Sequence, residues 1–237
     1  MNPKTIKIDC SGYSIDADWY EPTSTNSVLL VLVGYGSSKA RNSDFVKDVS
    51  TNTGTSALVI DYSGHGDSPI NLDKTRPAQH FLEIISAFDW LRATYPHAKV
   101  SVMGTSYGGF MAALLASYRD FEKLILRTPA IYIPSDFYST QAEIEREGAT
   151  QKYRHNSSEI AKNPIFTEPR IFSGQTLLVV HGNDEDVPTT TTDRYQQAFS
   201  ADTYTATGFK HAMRDPANPT DKLAEYQNFI SDWLKKS

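Results

Sequence analysis

The stretch from Lys99 to Met111, KVSVMGTSYGGFM, constrains this chain more than any other. Val100, Val102 and Met103 form an apolar run of the kind a buried strand requires. Gly104-Thr105-Ser106-Tyr107-Gly108 follows at once, and Phe110 to Leu115 then read as a buried helix. A G-x-S-x-G pattern between strand and helix implies a sharp, strained turn with the serine at its tip. Side chains two residues to either side of that serine would collide with the backbone. Glycine at 104 and 108 removes them, and Gly109 lets the helix pack closely on the strand. Such a turn holds the Ser106 hydroxyl clear of the sheet, where a carbonyl carbon can reach it.

Around this turn, apolar runs alternate with stretches of helical spacing. Residues 4–20 alternate about Ser11-Gly12, which predicts an antiparallel hairpin. Val28 to Val33 and Ala57 to Ile60 are continuously apolar, as strands covered on both faces are. Helices are expected near 41–52 and over 77–94, where Phe81, Ile84, Ile85, Phe88 and Leu91 recur at helical spacing. Further strands are expected at Leu124 to Leu126, Thr176 to His181 and Tyr204 to Thr207. Helices are expected from Thr189 to Phe199 and at the C-terminal stripe containing Tyr226, Ile230 and Trp233. The fold class is therefore α/β, a mostly parallel sheet with helices on both faces. With 237 residues, of which 39% are hydrophobic, the chain is expected to form one domain over 1–237. Residues 131–174 interrupt the alternation with Tyr, Phe, Pro and charge, and are expected to be a lid or cap inserted into that domain.

Composition narrows the partners. The formal net charge is -5, and the longest basic run is Lys235-Lys236, so nucleic acid is not an expected partner. A single cysteine, Cys10, precludes an internal disulfide and fits a reducing compartment. The first residues lack the apolar core of a secretion signal. The longest strand-like apolar run, Val28 to Val33, falls far short of the roughly 20 residues that cross a bilayer. A cytoplasmic protein without a membrane span is the expectation. No H-E-x-x-H spacing is present, and no metal or other cofactor is called for. Oligomeric state has no signature in the sequence.

In sheets of this kind, function collects at the carboxyl ends of the strands, where the polar turn motifs of this chain fall. A serine hydroxyl needs a base to take its proton, and a carboxylate to hold that base in the right tautomer. Behind a strand–turn–helix serine the chain order is Ser, acid, His. Three histidines follow Ser106. His155 lies in the polar insertion, and His181 ends a strand beside Gly182, where packing or capping is expected. His211 follows the last strand and is the expected base. The acid is sought in His181 to Pro188, where Asp184 is favoured and Asp186 is the alternative. Glu185 is expected to face solvent, and Asp186 could instead cap the next helix. A tetrahedral intermediate also needs two donors for its oxyanion. The backbone amides of Tyr107, after the nucleophile, and Tyr35, between Gly34 and Gly36, are the candidates, which leaves both tyrosine side chains free to line a pocket.

Gly34-Tyr35-Gly36-Ser37-Ser38, Asp61 to Ser68, Gly104 to Gly109, His181-Gly182 with Asp184 and Val187-Pro188, and His211 occur in an order that resembles the α/β-hydrolase superfamily over almost the whole length. The resemblance implies an α/β-hydrolase fold and a Ser-His-Asp triad acting through an acyl-enzyme, without a cofactor. The compact size resembles small serine esterases, feruloyl-type esterases and acyl-protein thioesterase-like enzymes, which implies a small-molecule ester or thioester substrate. GTSYGGFMA is also similar to the elbow of prolyl-oligopeptidase-type peptidases, so a serine peptidase is the second expectation and a non-catalytic ligand-binding member the third. The chain departs from the family pattern in two places. Val33-Gly34 stands where the family usually has His-Gly, and the loop after His181 is one residue short before its acid, which keeps Asp186 open.

Overall fold

The computed structural model describes residues 1–22, 26–167 and 172–236. The N-terminal alternation forms an antiparallel hairpin, β1 (Lys4–Asp9) and β2 (Ser14–Tyr20). It turns through Ser11 and Gly12, both at positive φ. The apolar runs become β3 (Ser27–Leu32), β4 (Ser56–Ile60), β5 (Lys99–Thr105), β6 (Lys123–Arg127) and β7 (Gln175–His181), followed by β8 (Asp202–Ala206). They form one sheet of eight strands in the order β1-β2-β4-β3-β5-β6-β7-β8. Only the β1–β2 and β2–β4 pairings are antiparallel. Val28, Leu30 and Leu32 of β3 are fully buried, as a central parallel strand requires. Each such side chain contributes about 1.5–3 kcal/mol by leaving water.

Helices link or flank these strands, among them α1 (Lys39–Thr53), α2 (Pro77–Thr94), α3 (Tyr107–Ala116) and, near the C-terminus, α8 (Leu223–Lys235). The Ser38 side chain accepts from the Arg41 amide at the start of α1, and Gly54 at positive φ closes it. Pro77 opens α2, where its missing N–H costs nothing. The connection from β3 leads to β4 on one side, and that from β4 crosses back past β3 to β5 on the other. Right-handed crossovers therefore put α1 on one face and α2 and α3 on the other. The chain thus parts at the carboxyl end of β3, beside β5, and the Ser106 turn stands at that crevice.

Between β6 and β7 the chain makes no strand among the described residues. It forms a 3-10 turn at Pro134–Tyr138, a π turn at Arg146–Thr150 and three one-turn helices, α4 (Gln151–Arg154), α5 (Ser157–Ile160) and α6 (Pro164–Thr167). Residues 168–171 of the expected 131–174 insertion lie outside the described residues. Arg154 anchors the segment by donating to the carbonyls of Ile131 and Asp186. The helix between β7 and β8 is α7 (Thr189–Phe199). Among the described residues no helix is long and apolar enough to cross a membrane.

Candidate active site

Ser106 sits at φ 53 and ψ -114, a backbone conformation that few non-glycine residues adopt. Its amide donates to the Arg127 carbonyl at 2.9 Å, and its carbonyl accepts from Ala130 at 3.0 Å. The flanking glycines are needed sterically. A Cβ on Gly104 would lie 2.1 Å from the Gly108 carbonyl oxygen, and one on Gly108 would lie 2.2 Å from that of Leu32. The backbone itself occupies both spaces, so no side-chain movement could make room.

His211 reaches this serine from the loop after β8. Its Nε2 is 2.9 Å from Ser106 Oγ, and its Nδ1 is 2.8 Å from Asp184 Oδ2. Asp184 projects from the turn after β7, and its other carboxylate oxygen accepts the amides of Asp186 and Val187, each at 2.9 Å. Burial pushes the Asp184 carboxyl up, but the hydrogen bond and charge of His211 and the two amides outweigh it, so the carboxyl ends below its ordinary value. The three expected residues therefore meet in the order serine, imidazole, carboxylate. Asp186 is exposed and bonds neither histidine nor serine. Nor does it cap α7, whose first residue is preceded by Pro188 without a side-chain cap. Glu185 faces solvent and accepts from Lys210 at 3.0 Å. His155 is exposed, and its amide donates to the Gln151 carbonyl within the 131–174 segment.

His181 does more than pack a turn. It is 2% exposed, with Nδ1 2.7 Å from the Lys210 carbonyl and Nε2 3.1 Å from the Tyr226 hydroxyl. The first bond fixes the residue immediately before His211. Asn218 holds the same loop from the other side, accepting from the Lys210 amide and donating to the carbonyls of Ala212 and Met213.

The Tyr35 loop abuts the serine, since a Cβ on Gly34 would lie 3.6 Å from Ser106 Cβ. Among the described residues, the amides of Tyr35 and Tyr107 have no hydrogen-bond acceptor. For Tyr107 this follows from its place at the first position of α3, where amides lack helical partners and the helix dipole favours negative charge. The tyrosine side chains differ from expectation. Tyr107 is fully buried. Its hydroxyl lies 2.8 Å from His80 Nδ1 and 3.4 Å from Gln141 Nε2. Tyr35 packs edge-on against Tyr107 and carries the Arg146 guanidinium over its ring at 3.8 Å.

His80 and Glu83 belong to a buried polar group that the sequence pattern did not assign. Glu83 is fully buried and accepts from the Ser63 amide, the Ser63 hydroxyl and the Tyr13 hydroxyl. The available signal was two ionisable residues, three apart, on the apolar stripe of α2.

Asp184, Asp186 and His211 also bring potential metal-ligand atoms within 4.8 Å of one another. The Asp184 oxygens are already engaged by His211 and by two amides, so the cluster has the chemistry of a hydrogen-bonded relay. An apolar cavity of about 490 Å³ opens between α2, α3 and the 131–174 segment, and its lining includes Phe81, Phe110, Leu114, Tyr132 and Phe137. Phe110, one turn of α3 beyond Ser106, is in that lining, which includes neither Ser106 nor His211.

Comparison with known proteins places the chain. The model for the family described as serine aminopeptidase, S33, matches residues 23–164. The chain belongs to this hydrolase family. No curated protein matches it by sequence. Among solved structures, it is similar to ferulic acid-bound Est1E from Butyrivibrio proteoclasticus at 15% identity and a TM-score of 0.72, covering 97% of both chains. It is similar to an esterase of Pyrococcus furiosus at 17% identity and a TM-score of 0.71, covering 98% of this chain and 92% of that one. A predicted hydrolase of Thermoplasma acidophilum aligns at 20% identity and a TM-score of 0.69 over 99% of each chain. At these identities the likeness establishes a shared α/β-hydrolase fold, as does the strand order above.

Proposed function

We propose that this member of the hydrolase family is a serine hydrolase of carboxylic esters or thioesters, with Ser106 as nucleophile, His211 as base and Asp184 as orienting acid. One observation carries the reading: a continuous hydrogen-bonded chain from Ser106 Oγ through His211 to Asp184, at 2.9 and 2.8 Å. Asp184 accepts Nδ1–H, which leaves Nε2 to take the serine proton. Ser106 Oγ then attacks the carbonyl carbon, and the amides of Tyr35 and Tyr107 receive the developing oxyanion. His211 returns the proton to the leaving alcohol or thiol. The same imidazole next deprotonates a water that attacks the acyl-enzyme, and the acid product leaves with Ser106 restored. No metal or other cofactor enters these steps. The 131–174 segment is read as the cap over this site, and the cavity it borders, with no charged side chain in its lining, suits an apolar acyl or aryl group.

The family description favours a second reading, an aminopeptidase acting through the same three side chains. Assaying p-nitrophenyl esters, acyl thioesters and aminoacyl anilides on the purified protein separates the two. Ester or thioester turnover well above anilide turnover is expected, and the reverse order would establish the peptidase. Ser106→Ala should abolish labelling by a fluorophosphonate and nearly all turnover. Labelling that persists at another serine would overturn the assignment of the nucleophile.

A further inference from the structure

Arg146 is the first residue of the π turn in the 131–174 segment, far in sequence from both tyrosines at the site. Its guanidinium lies over the Tyr35 ring, 3.8 Å from the centroid. The same group donates through Nη1 to the Gln141 carbonyl at 3.0 Å, and through Nη2 to the Gln141 side-chain oxygen. The Gln141 side-chain nitrogen in turn reaches the Tyr107 hydroxyl at 3.4 Å. Gln141 is 1% exposed, and its amide is tied to the Thr75 carbonyl at 2.8 Å. One cation therefore touches Tyr35 directly and Tyr107 through a single buried amide. These two residues carry the amides proposed to hold the oxyanion.

We infer that Arg146 is a positioning residue that clamps the oxyanion donors, so that the 131–174 segment completes the site only when this arginine is docked. The inference rests on the proposed hydrolase mechanism. Its logic is geometric: an oxyanion donor works only if it is aimed before the charge develops, and Tyr35 sits on a loop whose neighbour Gly36 takes a positive φ. A guanidinium stacked on the ring restricts that loop, while its planar fork fixes Gln141. A direct role in holding an anionic substrate fits less well. Both terminal nitrogens are engaged with Gln141, and Nε is buried without a partner among the described residues. Those two bonds and the Tyr35 ring fix the guanidinium plane against the protein itself.

The test is steady-state hydrolysis of a neutral p-nitrophenyl ester by Arg146→Met, Arg146→Lys and Tyr35→Leu, with binding of a trifluoromethyl ketone measured alongside. That ketone forms an oxyanion adduct with the serine. For Arg146→Met, kcat should fall about tenfold with KM within about twofold, and ketone affinity should fall in parallel. Arg146→Lys keeps the charge but loses the fork, so it should recover only part of the loss. Tyr35→Leu keeps the amide and removes the ring, so adding Arg146→Met to it should cost little more than either change alone. A raised KM with unchanged kcat would make Arg146 a substrate contact and overturn the proposal. Unchanged kcat with a lowered melting temperature would overturn it as well. If Arg146→Met does not fold, the Arg146→Lys and Tyr35→Leu pair carries the same decision. If the unaltered protein neither hydrolyses esters nor labels at Ser106, the mechanism itself fails, which is a distinct outcome.

Discussion

Tyr107 separates two groups of side chains with the same composition, a serine, a histidine and an acid. Beside its backbone stand Ser106, His211 and Asp184; beside its hydroxyl stand Ser63, His80 and Glu83. In the first group the acid bonds the imidazole, and the imidazole bonds the serine hydroxyl. In the second the acid takes the serine hydroxyl for itself, and the imidazole is held between the Ser63 carbonyl and the Tyr107 hydroxyl. The first group also meets solvent, with the His211 side chain 20% exposed. In the second, Ser63 is 3% exposed and His80 and Glu83 are fully buried. Connectivity and access separate the arrangement proposed to be reactive from the buried one. The residue types do not.

The sharpest way to break this comparison is to disconnect the acid. Asp184→Asn should lower kcat by about 10⁴, because the imidazole loses its orientation and the partner of its positive charge. Asp186→Asn, which touches neither histidine nor serine, should leave kcat within about twofold of the parent. Initial-rate kinetics on one ester decide the matter, and equal losses in both variants would mean that Asp184 does not orient the base.

Acid should destabilise the buried group before it reaches the carboxylates. Burial lowers the His80 pKa to about 3 and those of His65 and His181 to about 4, against an ordinary value of 6.5. Below pH 6.5 the unfolded chain therefore binds protons that the native form does not. Stability is complete above that pH and falls as the pH drops toward 4. Each histidine contributes a slope of up to about 1.4 kcal/mol per pH unit. Asp184, whose folded pKa is depressed, gives up its contribution only at lower pH, below about 4. Urea unfolding of His80→Gln should show a shallower slope between pH 6.5 and 4. An unchanged slope would mean that His80 is not held neutral by the fold. At neutral pH the same variant should be less stable by about 1–3 kcal/mol, since it removes the imidazole that bridges the Ser63 carbonyl and the Tyr107 hydroxyl.

The two groups were unequally legible in the sequence, for the same physical reason that separates them. Ser106 announces itself because its turn needs glycines in fixed positions, and steric demands write themselves into local sequence. The strands and α2 were legible through apolar periodicity, down to the limits of Pro77 and Thr94. His211 and Asp184 could be placed because each follows a strand end in a known chain order. Ser63, His80 and Glu83 could not, because their bonds depend on how α2 settles against the loop after β4. The Arg146 contacts with Tyr35 and Gln141 lie further still from local pattern. The 131–174 segment has no long-period signal, so its turns are set by anchors such as Arg154 and Asn163.

The gentlest probe acts where the two groups share support. The Tyr62 hydroxyl is fully buried and donates to the Val33 carbonyl at 3.1 Å, at the point where β3 passes into the Tyr35 loop. Tyr62 also stacks on His80 and meets Tyr107 edge-on. Tyr62→Phe retains the ring and its packing and removes one hydrogen bond, leaving a buried carbonyl short of a donor. A loss of about 1 kcal/mol in stability follows. If the Val33 carbonyl is a hinge for the oxyanion loop, kcat should also fall, by about two- to threefold, with KM unchanged. A stability loss without that change in kcat would show that the buried group supports the sheet and leaves the aim of the Tyr35 amide to Arg146. Equal kcat losses from Tyr62→Phe and Arg146→Met would instead assign the loop two independent supports, one from each side of Tyr107.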